Sequence, residues 1–302
     1  MSTGADSLKS ILFALGANFL IAVAKTAGAV FTGSSSMLAE AIHSFADCSN
    51  QALLLWGMRE GKRGPTPEHP LGRGKAIYFW SFIVALMLFS MGGLFSVYEG
   101  IHKLQAAEPL NNAWVAIAIL VFGIGAESVS LWGCLREVNK DRGRQSLWRW
   151  FRESRQSELL VVLAEDVAAL GGLALALAFI GLALATGNPM WDAAGSIAIG
   201  VLLILVAVLV GIEVKALLIG QGVEARVLDR MRAHLAGDAE IDGVYKVLTQ
   251  QLGQDVMVAV KARMRPVDSA ASLVAAINRV EQRFRIAFPQ VQWLFFEPDL
   301  AD

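Results

Sequence analysis

The chain has 302 residues, 55% of them hydrophobic, and a formal net charge of −1. That is long enough for a membrane domain plus a small soluble one, and too apolar for an ordinary globular protein. Its two cysteines, Cys48 and Cys134, exclude a disulfide-stapled scaffold.

The start, MSTGADSLKS, is too short and polar for a secretory leader and lacks the Arg-rich amphipathic character of a transit peptide. The first apolar segment is therefore expected to be kept as a span. A hydrocarbon core of ~30 Å needs about 20 helical residues at 1.5 Å each. Six stretches meet that length: Leu8–Phe31, Ser36–Met58, Ile77–Leu104, Asn112–Val138, Ser157–Ala185 and Trp191–Gly220. The connection at Ser34–Ser36 is short, which predicts a tight hairpin between the first two.

Charge in the connections sets the expected orientation. Arg59, Lys62, Arg63, Arg73 and Lys75 lie between the second and third spans; Arg136, Lys140, Arg142, Arg144, Arg149, Arg152 and Arg155 lie between the fourth and fifth. The opposite connections carry little positive charge, Lys103 being the clear case. The positive-inside rule then puts both termini in the cytoplasm, in a bacterial inner membrane or its equivalent. Within the fourth connection, SLWRWFRESR (Ser146–Arg155) alternates Trp148, Trp150 and Phe151 with basic residues. An interfacial segment with aromatics at headgroup level fits this better than a nucleic-acid patch, and no nucleic-acid partner is expected.

After Gly222 the continuous apolar runs give way to mixed charge. Periodicity predicts a helix over Glu224–Leu235, strands over Val244–Gln251 and Asp255–Arg265 around a turn at Gly253–Gln254, a helix over Ser269–Ala287 and a strand over Val291–Glu297. The predicted fold is thus membrane α-helical: six transmembrane helices over residues 1–221, then a small cytoplasmic α+β domain over 222–302, αββαβ and ferredoxin-like in kind. In the second strand Val256, Val258 and Val260 share one face and Met257, Ala259 and Lys261 the other. An outer face is left for a partner copy.

Few ionisable groups fall at membrane depth, and each is costly there, by roughly 2.5–3.5 kcal/mol on insertion scales. Glu40, His43 and Asp47 lie in SSSMLAEAIHSFADCSNQ (Ser34–Gln51); Lys25, Glu127, Glu165 and Asp166 lie in other spans. Residues three and four apart share a helix face, so His43 and Asp47 point the same way. Imidazole with carboxylates suits a borderline divalent cation such as Zn2+, whereas a harder ion prefers oxygen donors. Binding to such groups is linked to proton release. Bland readings stand beside this: Asn18 as packing glue, Cys48 as an apolar filler, and Glu127 as the ion-pair partner of Lys25.

These residues resemble the cation diffusion facilitator family of divalent-metal transporters. The likeness runs through SSSMLAEAIHSFADCSNQ, HPLGRGKAIYFWSF, WDAAGSIAIG and the αββαβ tail; ESVSLWGCLREVNK and VVLAEDVAALGG resemble its zinc transporter 9-like branch. The resemblance implies a homodimer that exports Zn2+ or a related ion in exchange for protons. It also implies a transport site of two i, i+4 pairs: His43 with Asp47, and Asp166 with an earlier partner. That earlier position is Val162, a departure that leaves Glu165, Glu127 or water to complete the shell. His69 is read as structural or a weak secondary metal site, and the tail's lone His234 argues against a metal-sensing tail. Zinc is cargo here, and no cofactor is expected. Two rivals are kept: a transport-inactive membrane scaffold of the same fold, and a membrane enzyme. The second lacks a nucleophile beside a base and a glycine-rich phosphate loop.

Overall fold

A computed structural model describes residues 12, 15–16, 18–24, 26–27, 35–105 and 113–301; the side chains of 35–43, 46, 113 and 115 are outside the description. The chain divides into two compact units. One runs from the described N-terminal residues to Met58 and includes Ile77–Arg152 and Gln156–Lys215; the other comprises Arg59–Ala76, Glu153–Arg155 and the chain from Ala216 onward.

The first unit is helical. Described residues between 12 and 27 are helical, and Asn18 there is buried. The long helices that follow are α1 (Ser35–Gly61), α2 (Ala76–Gln105), α3 (Ala113–Arg142), α5 (Ser157–Thr186) and α6 (Met190–Ile219), with the short α4 (Leu147–Glu153) before α5. Among the described residues, four helices are long and apolar enough to cross a membrane: Ala76–Gln105, Ala116–Arg142, Ser157–Thr186 and Met190–Ile219. Runs such as LALALAF in α5 combine strong helix formers with an apolar surface on all sides, which suits a lipid-embedded helix. Half of the predicted first span lies outside the described residues.

Two features shape the bundle. Helix α2 contains a π-helical stretch at Leu88–Leu94 that includes Gly92 and Gly93. There α2 meets α6 almost backbone to backbone: a Cβ on Gly200 would fall 2.7 Å from Val97 N and 2.8 Å from Gly93 O. Only small residues permit such an approach. On the other side, α3 packs against α5. A buried hydrogen bond of 3.0 Å from Ser81 Oγ to Ser157 Oγ ties α2 to the start of α5.

Helix α4 refines the interfacial reading. Trp148 is exposed and stacks on Phe151 with ring centroids 5.8 Å apart, as an interfacial segment requires. Trp150 instead is buried and donates its indole N–H to Asp141 at 2.7 Å. The aromatic run is therefore split between an anchor and an outward face. Arg152 and Glu213 pair at 2.6 Å and fix α4 to α6.

In the second unit, α7 (Ala225–Ala236), β1 (Ile241–Leu252), β2 (Asp255–Met264), α8 (Ala270–Ala287) and β3 (Val291–Pro298) follow the predicted α-β-β-α-β order closely. The sheet order is β1-β2-β3, with β1 and β2 antiparallel and β2 and β3 parallel. The hairpin turns at Gly253, whose φ of 70° favours glycine. Ser269 caps α8 by accepting the Ser272 N–H at 3.1 Å. Alternation in β2 is as predicted: Val256, Val258, Val260 and Ala262 are buried against Met231, Val280 and Phe284. His234 sits edge-on to Phe284 and Phe288, at 5.9 and 5.6 Å, as a packing residue.

The Arg59–Ala76 loop belongs to this unit. A Cβ on Gly74 would overlap the Leu252 carbonyl, at 1.9 Å, so glycine is obligatory beside the hairpin. His69 serves the loop through its backbone: its N–H bonds the Thr66 carbonyl and hydroxyl, and its carbonyl accepts from Thr66 and Gly72.

Candidate metal centre

The site grows from helices α1, α3 and α5. On α5 the sequence VVLAEDV places Glu165 and Asp166 next to each other in an apolar run, and both are buried. Burying a carboxylate without partners is prohibitively costly, so each has found donors. Glu165 accepts from Asn50 Nδ2 at 2.9 Å and from Gln51 Nε2 at 2.6 Å, one donor for each oxygen. Asp166 accepts from Ser130 Oγ, at 3.1 and 3.3 Å to its two oxygens.

The acids act on one another across helices. The charges of Asp47 on α1, Asp166 on α5 and Glu127 on α3 all bear on Glu165, and that of Glu127 also bears on Asp166. Glu127 is buried and Asp47 half-buried. Of the residues singled out in sequence, Asp47, Glu127, Glu165 and Asp166 are thus brought into one electrostatic cluster. His43 is helical in α1, but its side chain is outside the described residues, as are those of Glu40 and Lys25; a Lys25–Glu127 pair therefore also lies outside them. Among the described residues no three His, Cys, Asp or Glu groups converge as a metal cage. Val162, where a ligand is anticipated, is fully buried.

Sequence reasoning passed over three residues that the geometry makes central: Asn50, Gln51 and Ser130. A signal was present. Asn50 and Gln51 follow Asp47 by three and four residues, and Ser130 follows Glu127 by three, so each lies on the face of an acid already noted. Among the described residues the donors to Glu165 and Asp166, namely Asn50, Gln51 and Ser130, are neutral. They satisfy oxygen lone pairs without bringing an opposing charge.

Against known families, residues 11–219 match the cation efflux transmembrane domain. The chain belongs to the cation efflux family. The match extends through every long helix of the first unit, so the acids of α1, α3 and α5 all lie inside the family's domain. Individual relatives agree with it. A mitochondrial protein of Xenopus laevis named proton-coupled zinc antiporter SLC30A9 is 33% identical over 247 residues, covering 81% of this chain and 44% of that protein. Its human counterpart is 32% identical over 248 residues, covering 81% and 44%. Metal tolerance protein C4 of Arabidopsis thaliana is 31% identical over 254 residues, covering 82% and 54%. The chain thus spans about half the length of these relatives, and the sequence likeness to the zinc transporter 9-like branch of the family holds.

Proposed function

We propose that the protein is a homodimeric, proton-coupled exporter of divalent transition metal, zinc first, working by alternating access across six spans. His43, Asp47 and Asp166 bind the ion. Glu165 and Glu127 supply the remaining coordination or carry protons, in place of the ligand absent at Val162. The observation that carries this reading is the cluster of four acids from three helices in a family member, with Glu165 and Asp166 hydrogen-bonded by neutral donors among the described residues. The names of the relatives, zinc antiporters and a metal tolerance protein, support zinc and protons as the exchanged pair.

Residues 1–221 form the transport domain, with both termini cytoplasmic, and the ferredoxin-like tail over 222–302 joins two copies. Leu248 on β1 and Phe295 on β3, both exposed, lie on the outer sheet face beside Ala259, their register partner on β2. An open apolar face of this kind suits a second copy of the tail.

Purified protein in proteoliposomes tests the reading. An imposed pH gradient should drive Zn2+ uptake, and Asp166→Asn should slow it by more than about a hundredfold, since even outer-shell changes at metal sites cost 10–100-fold. No uptake by the parent, together with no Zn2+ binding by calorimetry, would favour the transport-inactive scaffold, which the buried Val162 already suggests as the rival.

A further inference from the structure

Asn50 and Gln51 lie on α1 one turn beyond Asp47, towards the Arg59 end, and are 3% and 0% exposed. Each spends an amide N–H on a different oxygen of Glu165. With both N–H ends turned to Glu165, the carbonyl ends of the two carboxamides turn away from it. The carbonyl oxygens are left over. Among the described residues, no donor reaches Asn50 Oδ1 or Gln51 Oε1. An unmet buried acceptor is destabilising, and two on successive residues call for an explanation.

Their surroundings suggest what they face. The N and O of one carboxamide are separated by about 2.3 Å, so each leftover oxygen lies within about 5 Å of the Glu165 carboxylate. Asp47, Asp166 and Glu127 all act on Glu165, the carboxyl that both amides hold. A cation arriving among such acids is favoured over a neutral occupant as it displaces their protons.

We propose that Asn50 Oδ1 and Gln51 Oε1 form an oxygen-only cation station, distinct from the His43, Asp47 and Asp166 site, that takes a partly hydrated hard divalent ion such as Mn2+ or Mg2+. The carbonyl oxygens touch the ion. Glu165 is a positioning residue: it holds both amide groups by their N–H ends and supplies charge, as outer-shell carboxylates do for ligating histidines. Neutral oxygen donors with room for water suit these harder ions better than Zn2+, which prefers nitrogen and sulfur. The station rests on the reading of the chain as a cation exporter and places a holding point one helical turn from the transport site.

The test uses Mn2+ alone, titrated into full-length protein in nanodiscs and followed by electron paramagnetic resonance. A His43→Ala/Asp47→Ala protein, stripped of half the transport site, should still bind Mn2+, without the nitrogen couplings of an imidazole ligand. Adding Asn50→Leu and Gln51→Leu should weaken that binding by about tenfold or more. Glu165→Gln keeps the side-chain volume, removes the charge and the acceptor that hold both amides, and should weaken Mn2+ binding; it decides the matter if the leucine pair misfolds. Loss of Mn2+ from the His43→Ala/Asp47→Ala protein, unchanged binding in the folded leucine pair, or unchanged binding in Glu165→Gln overturns the proposal and leaves the two oxygens to buried water. These readouts are independent of Zn2+ movement in vesicles, so failure of the station and failure of the transport reading are separable.

Discussion

The two units handle acids in opposite ways. In the tail, carboxylates meet cations: Arg283 contacts Asp238 at 2.8 Å and Glu240 at 3.0 Å, Arg279 contacts Glu240, Arg263 contacts Asp242, and Lys261 contacts Asp299. In the helical unit, ion pairs such as Lys103 with Asp192, Lys140 with Glu137 and Arg152 with Glu213 sit in the end turns of helices. Deeper in, Glu165 and Asp166 take hydrogen bonds from Asn50, Gln51 and Ser130 instead. An arginine cancels charge as it hydrogen-bonds; a carboxamide or hydroxyl does the second without the first. The tail's acids are thereby neutralised within ion pairs, whereas Glu165 and Asp166 take their hydrogen bonds from neutral side chains.

The largest expected effect tests whether the tail is held mainly by its apolar layer and only trimmed by charge. Phe284 is fully buried, with the Phe288 ring centroid at 4.8 Å. Phe284→Ala should cost about 3–5 kcal/mol of tail stability, seen as loss of hydrogen-exchange protection in β2. A smaller loss than that of an arginine removal would invert the comparison.

A smaller effect is expected at Ser130. Its hydroxyl orients the Asp166 carboxylate, and Ser130→Ala should lower Zn2+ affinity by about 10–100-fold while leaving tail protection unchanged. Calorimetry on the folded variant measures the first and hydrogen exchange the second. Equal Zn2+ affinity in parent and variant would mean that Asp166 is placed by the helix alone.

How much of this was legible in sequence differs between the units for a physical reason. The tail's elements could be read because each carries its own punctuation: Ser269 before α8, Gly253 between β1 and β2, and valine alternation through β2. In the bundle, Glu165 and Asp166 stood out because an ionised group in an apolar run is expensive. Asn50, Gln51 and Ser130 did not, since neutral polar residues are tolerated in such helices and their role depends on which helix they face. The split of Trp148 from Trp150 was equally hidden: it turns on Asp141, nine residues earlier in the chain. The π-helical stretch in α2 had only the Gly92–Gly93 pair to mark it.

The smallest effect, at Arg283, sharpens the comparison most. Burial pushes the Asp238 and Glu240 carboxyls up, but hydrogen bonds from Arg283 to both and from Arg279 to Glu240, with the arginine charges, hold each below its ordinary value. A carboxyl held low contributes stability above its unfolded pKa, near 4, and loses it as pH falls through the folded value. Arg283→Met should therefore weaken tail protection by roughly 1 kcal/mol at pH 7, a figure kept small because the guanidinium is 43% exposed and screened. The gap between parent and variant should hold down to about pH 4 and close below it, as both acids protonate in either protein. If the tail's charges serve folding alone, the same variant should move Zn2+ at the parent rate at pH 7. A transport loss as large as that of Ser130→Ala would mean that the tail's acids also act on the ion, and the division of labour between the two units would fail.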